Sequence, residues 1–267
     1  MLPLGSTDLP VNAATLAESI TRGLAMLFDM GAARCSVEAG AAVWPAVESI
    51  AIDLTGARAK FDRPDAPDAS ETRDEFEVSA GSIRLWGRPI RMDDASLTLD
   101  LSTRAARIRI WRDRSGRAFW AVASAGTGSI HLDFLSRDLE GLLISRGRVL
   151  AAEHGVTIKK IDLALRPIDD RSLSVEATIT AAKSFLSTGL HVGGTMSIDD
   201  QLNVRLDNIT CRGEGMIGKA TAALIRPKLE AADGQPIALA GVLGPGIRLK
   251  DVKLSVTDRV AVDAKWK

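Results

Sequence analysis

The nearest thing to a chemical motif in this chain is Gly213-Glu214-Gly215-Met216-Ile217-Gly218-Lys219-Ala220-Thr221. It fits both G-x-G-x-x-G and G-x-x-x-x-G-K, patterns whose glycines let a backbone cradle phosphate at a helix N-terminus. Three features argue against a nucleotide site. The preceding strand alternates Leu202, Asn203, Val204, Arg205, Leu206, Asp207, whereas a central strand of a parallel sheet is apolar on both faces. Ala220 stands where a P-loop needs a hydroxyl for magnesium. The next strand, Ile237 to Ala240, ends without a carboxylate to hold a ribose. The glycines are better explained by a tight turn from strand into helix.

Other reactive residue types stand apart from one another. His131, His154 and His191 have no second histidine or cysteine at metal-ligand spacing. Cys35 and Cys211 are far apart, which leaves two buried thiols or one long-range disulfide. There is no Gly-x-Ser-x-Gly elbow. Asp93-Asp94, Asp169-Asp170 and Asp199-Asp200 fall between strand signals, where aspartates serve turns. These observations predict no catalytic residues, no metal and no cofactor.

Charge points the same way. Lysine plus arginine and aspartate plus glutamate both total 34, a formal net charge of zero, which disfavours a nucleic-acid binder. Between Arg84 and Arg117 nine arginines face four acids. Arg107 and Arg109 alternate with Ile108 and Ile110, so they share one strand face. Together with Arg112 they form a candidate contact to anionic headgroups, the plain alternative being a solvated hairpin face.

The elements that would carry these residues are mostly strands. Three segments read as helices. The first starts at an Asn12 cap, presents Leu16, Ile20, Leu24 and Leu27 on one face, and closes at Gly31. The second runs from Ser136 to His154 and the third from Gly215 to Ala232, with Pro227 expected to kink or split the third. Elsewhere apolar residues recur with period two, as in Ile50, Ile52, Leu54, in Leu97, Leu99, Leu101 and in Ala106, Ile108, Ile110. Further sets are Ile130, Leu132, Phe134, then Ile161, Leu163, Leu165, then Leu173, Val175, Ala177, Ile179. Short connections predict antiparallel hairpins and meanders. Asp62 to Arg73, crowded with prolines and acids, reads as a linker or exposed loop. The expected class is α+β and β-dominated: a strongly twisted antiparallel meander sheet wrapped around a few amphipathic helices.

Val156-Thr157-Ile158-Lys159-Lys160-Ile161-Asp162-Leu163 opens a run of long strands, and the helix Met216-Ile217-Gly218-Lys219-Ala220-Thr221-Ala222-Ala223-Leu224 follows them. The closing hairpin is Gly246 to Val256 followed by Arg259-Val260-Ala261-Val262. On these residues the chain from Val156 onward resembles the TULIP (tubular lipid-binding) superfamily, especially its bacterial phospholipid-binding branch. The resemblance implies a single elongated lipid-binding domain over 1–267, with an internal division near 135. It also implies a groove for a lipid or other apolar small molecule. Leu16, Ile20, Leu24, Leu27, Met216, Ile217, Ala220 and Leu224 are the candidate lining. Each buried methylene of an acyl chain would contribute about 0.8 kcal/mol. Apolar faces that meet as a dry core, in a structural or partner-binding β-protein, fit the same periodicity. Met1 to Pro10 shows no signal peptide. The expected location is therefore cytoplasmic or peripheral to a membrane, and periplasmic if a leader was removed.

Overall fold

Asn12 is extended, accepts a hydrogen bond from the Thr15 amide at 2.9 Å and donates its own amide to Thr15 Oγ1 at 3.1 Å. This reciprocal cap starts helix α1 (Ala13–Leu27) where the asparagine predicted it. The helix ends four residues before Gly31. Phe28 and Asp29 leave it to pair as a short strand with Arg58 and Ala59, and Gly31 sits in the following turn at φ 49°.

The computed structural model describes residues 2–41, 43–60, 73–152, 157–183, 186–199, 203–238, 247 and 249–267. The expected loop at 62–72, His154 and Gly246 lie outside the described residues. Around α1 stand β1 (Leu2–Pro3), β2 (Phe28–Asp29), β3 (Arg34–Glu38), β4 (Ala46–Asp53) and β5 (Arg58–Ala59). The long strands β6 (Arg73–Met92) and β7 (Ala95–Arg112) follow, then β8 (Ala118–Ser124) and β9 (Gly128–Leu135). Helix α2 (Ser136–Ala152) leads to β10 (Thr157–Pro167), β11 (Ser172–Lys183), β12 (Leu186–Ile198) and β13 (Asn203–Gly213). Helix α3 (Gly215–Ala232), β14 (Ile237–Ala238), β15 (Leu249–Val256) and β16 (Arg259–Trp266) complete the order. Helix α3 continues through Pro227 without splitting.

Among the described residues the strands form two sheets, neither closed into a barrel. The larger runs β15-β16-β9-β7-β6-β4-β3, with β8 and β1 beside β7 and with β2 and β5 beside β6. The smaller runs β10-β11-β12-β13-β14. Most neighbours are antiparallel as expected. The exceptions are β4 and β5, which pair parallel with β6. The chain leaves β4 at Asp53 and starts β6 at Arg73, which gives it length for the crossover that a parallel pair requires.

The hairpin β15–β16 returns to the larger sheet, where β16 zips along β9 from Arg259↔Leu135 to Trp266↔Gly128. The closing residues thus complete a sheet built mostly by the first half. One core lies under α1, where Leu4, Leu16, Ile20, Ile50, Ile52, Ile108 and Ile110 are at most 1–2% exposed. A second joins the sheets: Leu173 and Ile198 of the smaller pack with Leu249, Val252, Leu254, Ala264 and Trp266 of the larger. A third seats α3 on the smaller sheet through Ala222, Ile225, Leu190 and Cys211.

Candidate ligand-binding groove

Period-two alternation sends every second side chain to one face, and strand register stacks those side chains into rows. On the larger sheet three rows are Leu97–Phe134–Val260, Leu99–Leu132–Val262 and Leu101–Ile130–Ala264. A filled layer is driest at its centre. Here the outer strands are dry: Val252, Leu254, Val260 and Ala264 on one side, Ile83, Ile90, Ile50 and Ile52 on the other. Between them β9 and the first half of β7 are less dry: Leu97, Leu99, Leu101, Ile130, Leu132 and Phe134 are only half-buried, with Leu97 and Leu99 at the edge of the core under α1 and Leu101 and Ile130 at the edge of the core that joins the sheets.

The smaller sheet repeats the pattern along its length. Its apolar rows are Ile161–Ile179–Leu190, Leu163–Ala177–Val192, Leu165–Val175–Gly194 and Leu173–Met196–Leu206. Ile161 is buried on β10, Leu190 is buried toward α3, and Leu173 and Ile198 are buried against β15–β16. Between them Leu163, Leu165, Val175, Ala177, Val192 and Met196 remain half-buried. From Ile179 to Leu173 these rows run for about 20 Å at the usual rise per strand residue.

Helix α2 bridges the two sheets. Its Glu140 carboxylate accepts from the Leu163 amide at 2.9 Å, and Arg148 Nε donates to the Ile158 carbonyl at 3.0 Å. Two side chains of the helix thus satisfy backbone groups on the edge of β10, at Ile158 and Leu163. At the other sheet Asp138 accepts from the Ser96 amide at 3.0 Å and Ser145 Oγ donates to Asp93 at 3.1 Å. Leu139, Leu142 and Ile144 are half-buried on this bridge.

The residues named from helical spacing do not gather into one lining. Leu16, Ile20 and Leu24 are fully packed in the core under α1, and Leu27 is half-buried beside it. Met216 is 89% exposed, Ile217 is 39% exposed and Ala220 is exposed, because α3 turns Ala222 and Ile225 inward instead. The side chain of Leu224 is outside the described residues. Sequence reasoning found Leu132, Phe134, Leu163 and Ala177 as strand residues but not as lining. Alternation reports which face turns inward, not whether the facing layer reaches it.

Arg107 and Arg109 do share the outer face, opposite buried Ile108 and Ile110. Each has a carboxylate: Arg107 lies 3.9 Å from Glu77, and Arg109 pairs with Glu75. Arg112 donates to the Thr7 carbonyl at 2.7 Å and lies 4.0 Å from Asp8, fastening the N-terminal segment. The glycine motif at 213–221 serves a close approach. A Cβ on Gly213 would stand 1.8 Å from the Gly218 carbonyl oxygen.

Both cysteines are free thiols. Burial pushes the Cys35 thiol up to about 12, against a hydrogen bond with Thr21 that lowers it, so Cys35 is a poor nucleophile. Among the described residues no group of three or more metal-ligating side chains assembles, and no helix is long and apolar enough to cross a membrane. The depressions described there carry charged residues on their walls. One of them, about 770 Å³, lies between Asp169–Arg171 and the β15–β16 hairpin. Comparison with protein-family models, with curated proteins and with solved structures returns no match.

Proposed function

We propose that this chain holds a lipid or another long apolar molecule between its two sheets and carries out no covalent chemistry on it. The observation that carries the reading is the inverted burial of part of the larger sheet, dry at its flanks and half-open along β9 and at Leu97–Leu101 of β7. Leu97, Leu99, Leu101, Ile130, Leu132 and Phe134 would meet the ligand from one side, with Leu163, Leu165, Val175, Ala177 and Val192 on the other. A trough about 20 Å long suits an extended hydrocarbon better than a compact ring. Burying a dozen methylenes at about 0.8 kcal/mol each needs no specific polar contact. The TULIP-like wrapping belongs to the same proposal, and the irregular residues of the long strands support it. Ala105 of β7 adopts φ 51°, and the β6–β7 register shifts between Gly87 and Ile90. Such features bend a sheet where its strands are longest.

Native mass spectrometry of gently purified protein tests the proposal. The expected spectrum carries adducts whose masses match cellular lipids and which are lost on organic extraction. A clean apo mass from a lipid-replete host, joined to no uptake of added fatty acid, would overturn it.

A further inference from the structure

The outer face of the larger sheet carries a second feature, on the side away from the apolar rows. Arg84 on β6, Ser102 on β7, Ser129 on β9 and Lys265 on β16 lie in register across four adjacent strands. One step along, Ser82 pairs with Arg104. These residues, with Thr127 and Gly128, line an open depression of about 480 Å³ that has three cations on its walls and no carboxylate. Ser102 Oγ and Ser129 Oγ are 3.3 Å apart, so one hydroxyl donates to the other and the second remains available to donate outward.

Two of the three cations are not already engaged. Arg104 and Lys265 have no side-chain ion pair or hydrogen bond among the described residues. Arg84 is 3.3 Å from Asp100, which Arg88 shares at 3.0 Å, and its guanidinium lies 5.0 Å over the Trp86 ring. The other nearby carboxylate, Asp263, is engaged by His131 at 2.7 Å. Arg84 and Lys265 are three strand spacings apart, about 14 Å, with hydroxyls between them. That spacing suits a small polyoxygen anion held by flanking cations from above and by hydroxyl donors from below.

We propose that this depression binds a phosphoryl group. The site does not rest on the lipid-holding reading, because it lies on the opposite face of the sheet. The phosphoryl group belongs either to a soluble phosphate or to a lipid headgroup.

Calorimetric titration of the full chain with inorganic phosphate, paired with co-sedimentation on phosphatidylcholine vesicles with and without phosphatidic acid, tests it. The wild-type chain should bind phosphate saturably. The double variant R104A/K265A should weaken that binding roughly tenfold or more, the scale set by losing charge-assisted hydrogen bonds. S102A/S129A should weaken it less, and the remote Arg212→Ala should leave it unchanged. Phosphatidic-acid-dependent sedimentation that free phosphate reverses would assign the group to a headgroup. Phosphate binding without sedimentation would assign it to a soluble ligand. Both outcomes support the site. Saturable binding in neither arm would overturn it, as would binding that R104A/K265A leaves intact while circular dichroism reports both chains folded.

Discussion

Truncating one half-open aliphatic and one dry aliphatic should separate a lined groove from a filled core. Ile108 is fully buried, so Ile108→Ala loses the transfer free energy of its methylenes and also leaves a void, about 3–4 kcal/mol in all. Leu132 is half-buried on β9 between Leu99 and Val262. If the space above it is already empty or wet, Leu132→Ala creates no new cavity. It loses only part of the transfer free energy, about 1 kcal/mol. Urea denaturation followed by far-ultraviolet circular dichroism measures both, with equal slopes confirming that the unfolded states are comparable. The ligand adds a second reading. Fatty acid that binds the folded chain raises its stability by mass action, and this increment should be smaller in Leu132→Ala than in Ile108→Ala. Should Leu132→Ala cost as much as Ile108→Ala, the middle rows are tightly packed and the reasoning fails.

Other consequences are more local. A Cβ on Gly23 would stand 1.8 Å from the Pro3 carbonyl oxygen, so Gly23→Ala should detach β1 from α1, with a lower melting temperature and faster proteolysis near the N-terminus. Ala105→Gly should raise stability by about 1 kcal/mol, because a left-handed conformation strains alanine and not glycine, and thermal denaturation reads the gain. Asp113 is desolvated, which pushes its carboxyl up, but hydrogen bonds from Ser115 and from the Arg117 side chain and amide outweigh that and hold it below its ordinary 3.8. Its contribution is therefore present above that value and lost as pH falls through the lower folded value. Asp113→Asn should be less stable than the parent near neutrality, and the gap should close in acid; a gap independent of pH would contradict the assignment.

Much of the architecture was legible because it is written in local terms. The Asn12 cap, the Ser136 and Gly215 helix starts and the alternating sets each depend on a few adjacent residues, and each appears where the pattern places it. The boundary of α1 was misjudged at Gly31 because Phe28 and Asp29 find a partner strand thirty residues ahead, which no window of sequence contains. The parallel β4–β6 pair and the return of β15–β16 to β9 are long-range choices of the same kind. The helix residues expected as lining lie apart for a different reason. An amphipathic face must be buried, but the dense core under α1 buries Leu16 and Ile20 as completely as any ligand would. The arginine stripe pointed outward as its alternation required. What periodicity omits is the cross-strand glutamates that pair with Arg107 and Arg109.

Volume gives the remaining argument about the interior. Two facing sheets pack about 10 Å apart and need large side chains to fill the gap. Strands make up more than half of the described residues, yet the chain is only 4% aromatic, with no tyrosine. In the middle of the smaller sheet the rows Leu163–Ala177–Val192 and Leu165–Val175–Gly194 each contain a small residue. Space there implies opposite signs for one substitution. In a dry core, Ala177→Phe forces overpacking and costs about 1–3 kcal/mol. In a lined trough the ring occupies room already present, so stability should hold or rise while bound lipid falls. Chemical denaturation and native mass spectrometry on the same preparation read both quantities. Loss of stability with lipid content unchanged would mean that Ala177 faces packed neighbours and that the ligand, if one is held, lies elsewhere.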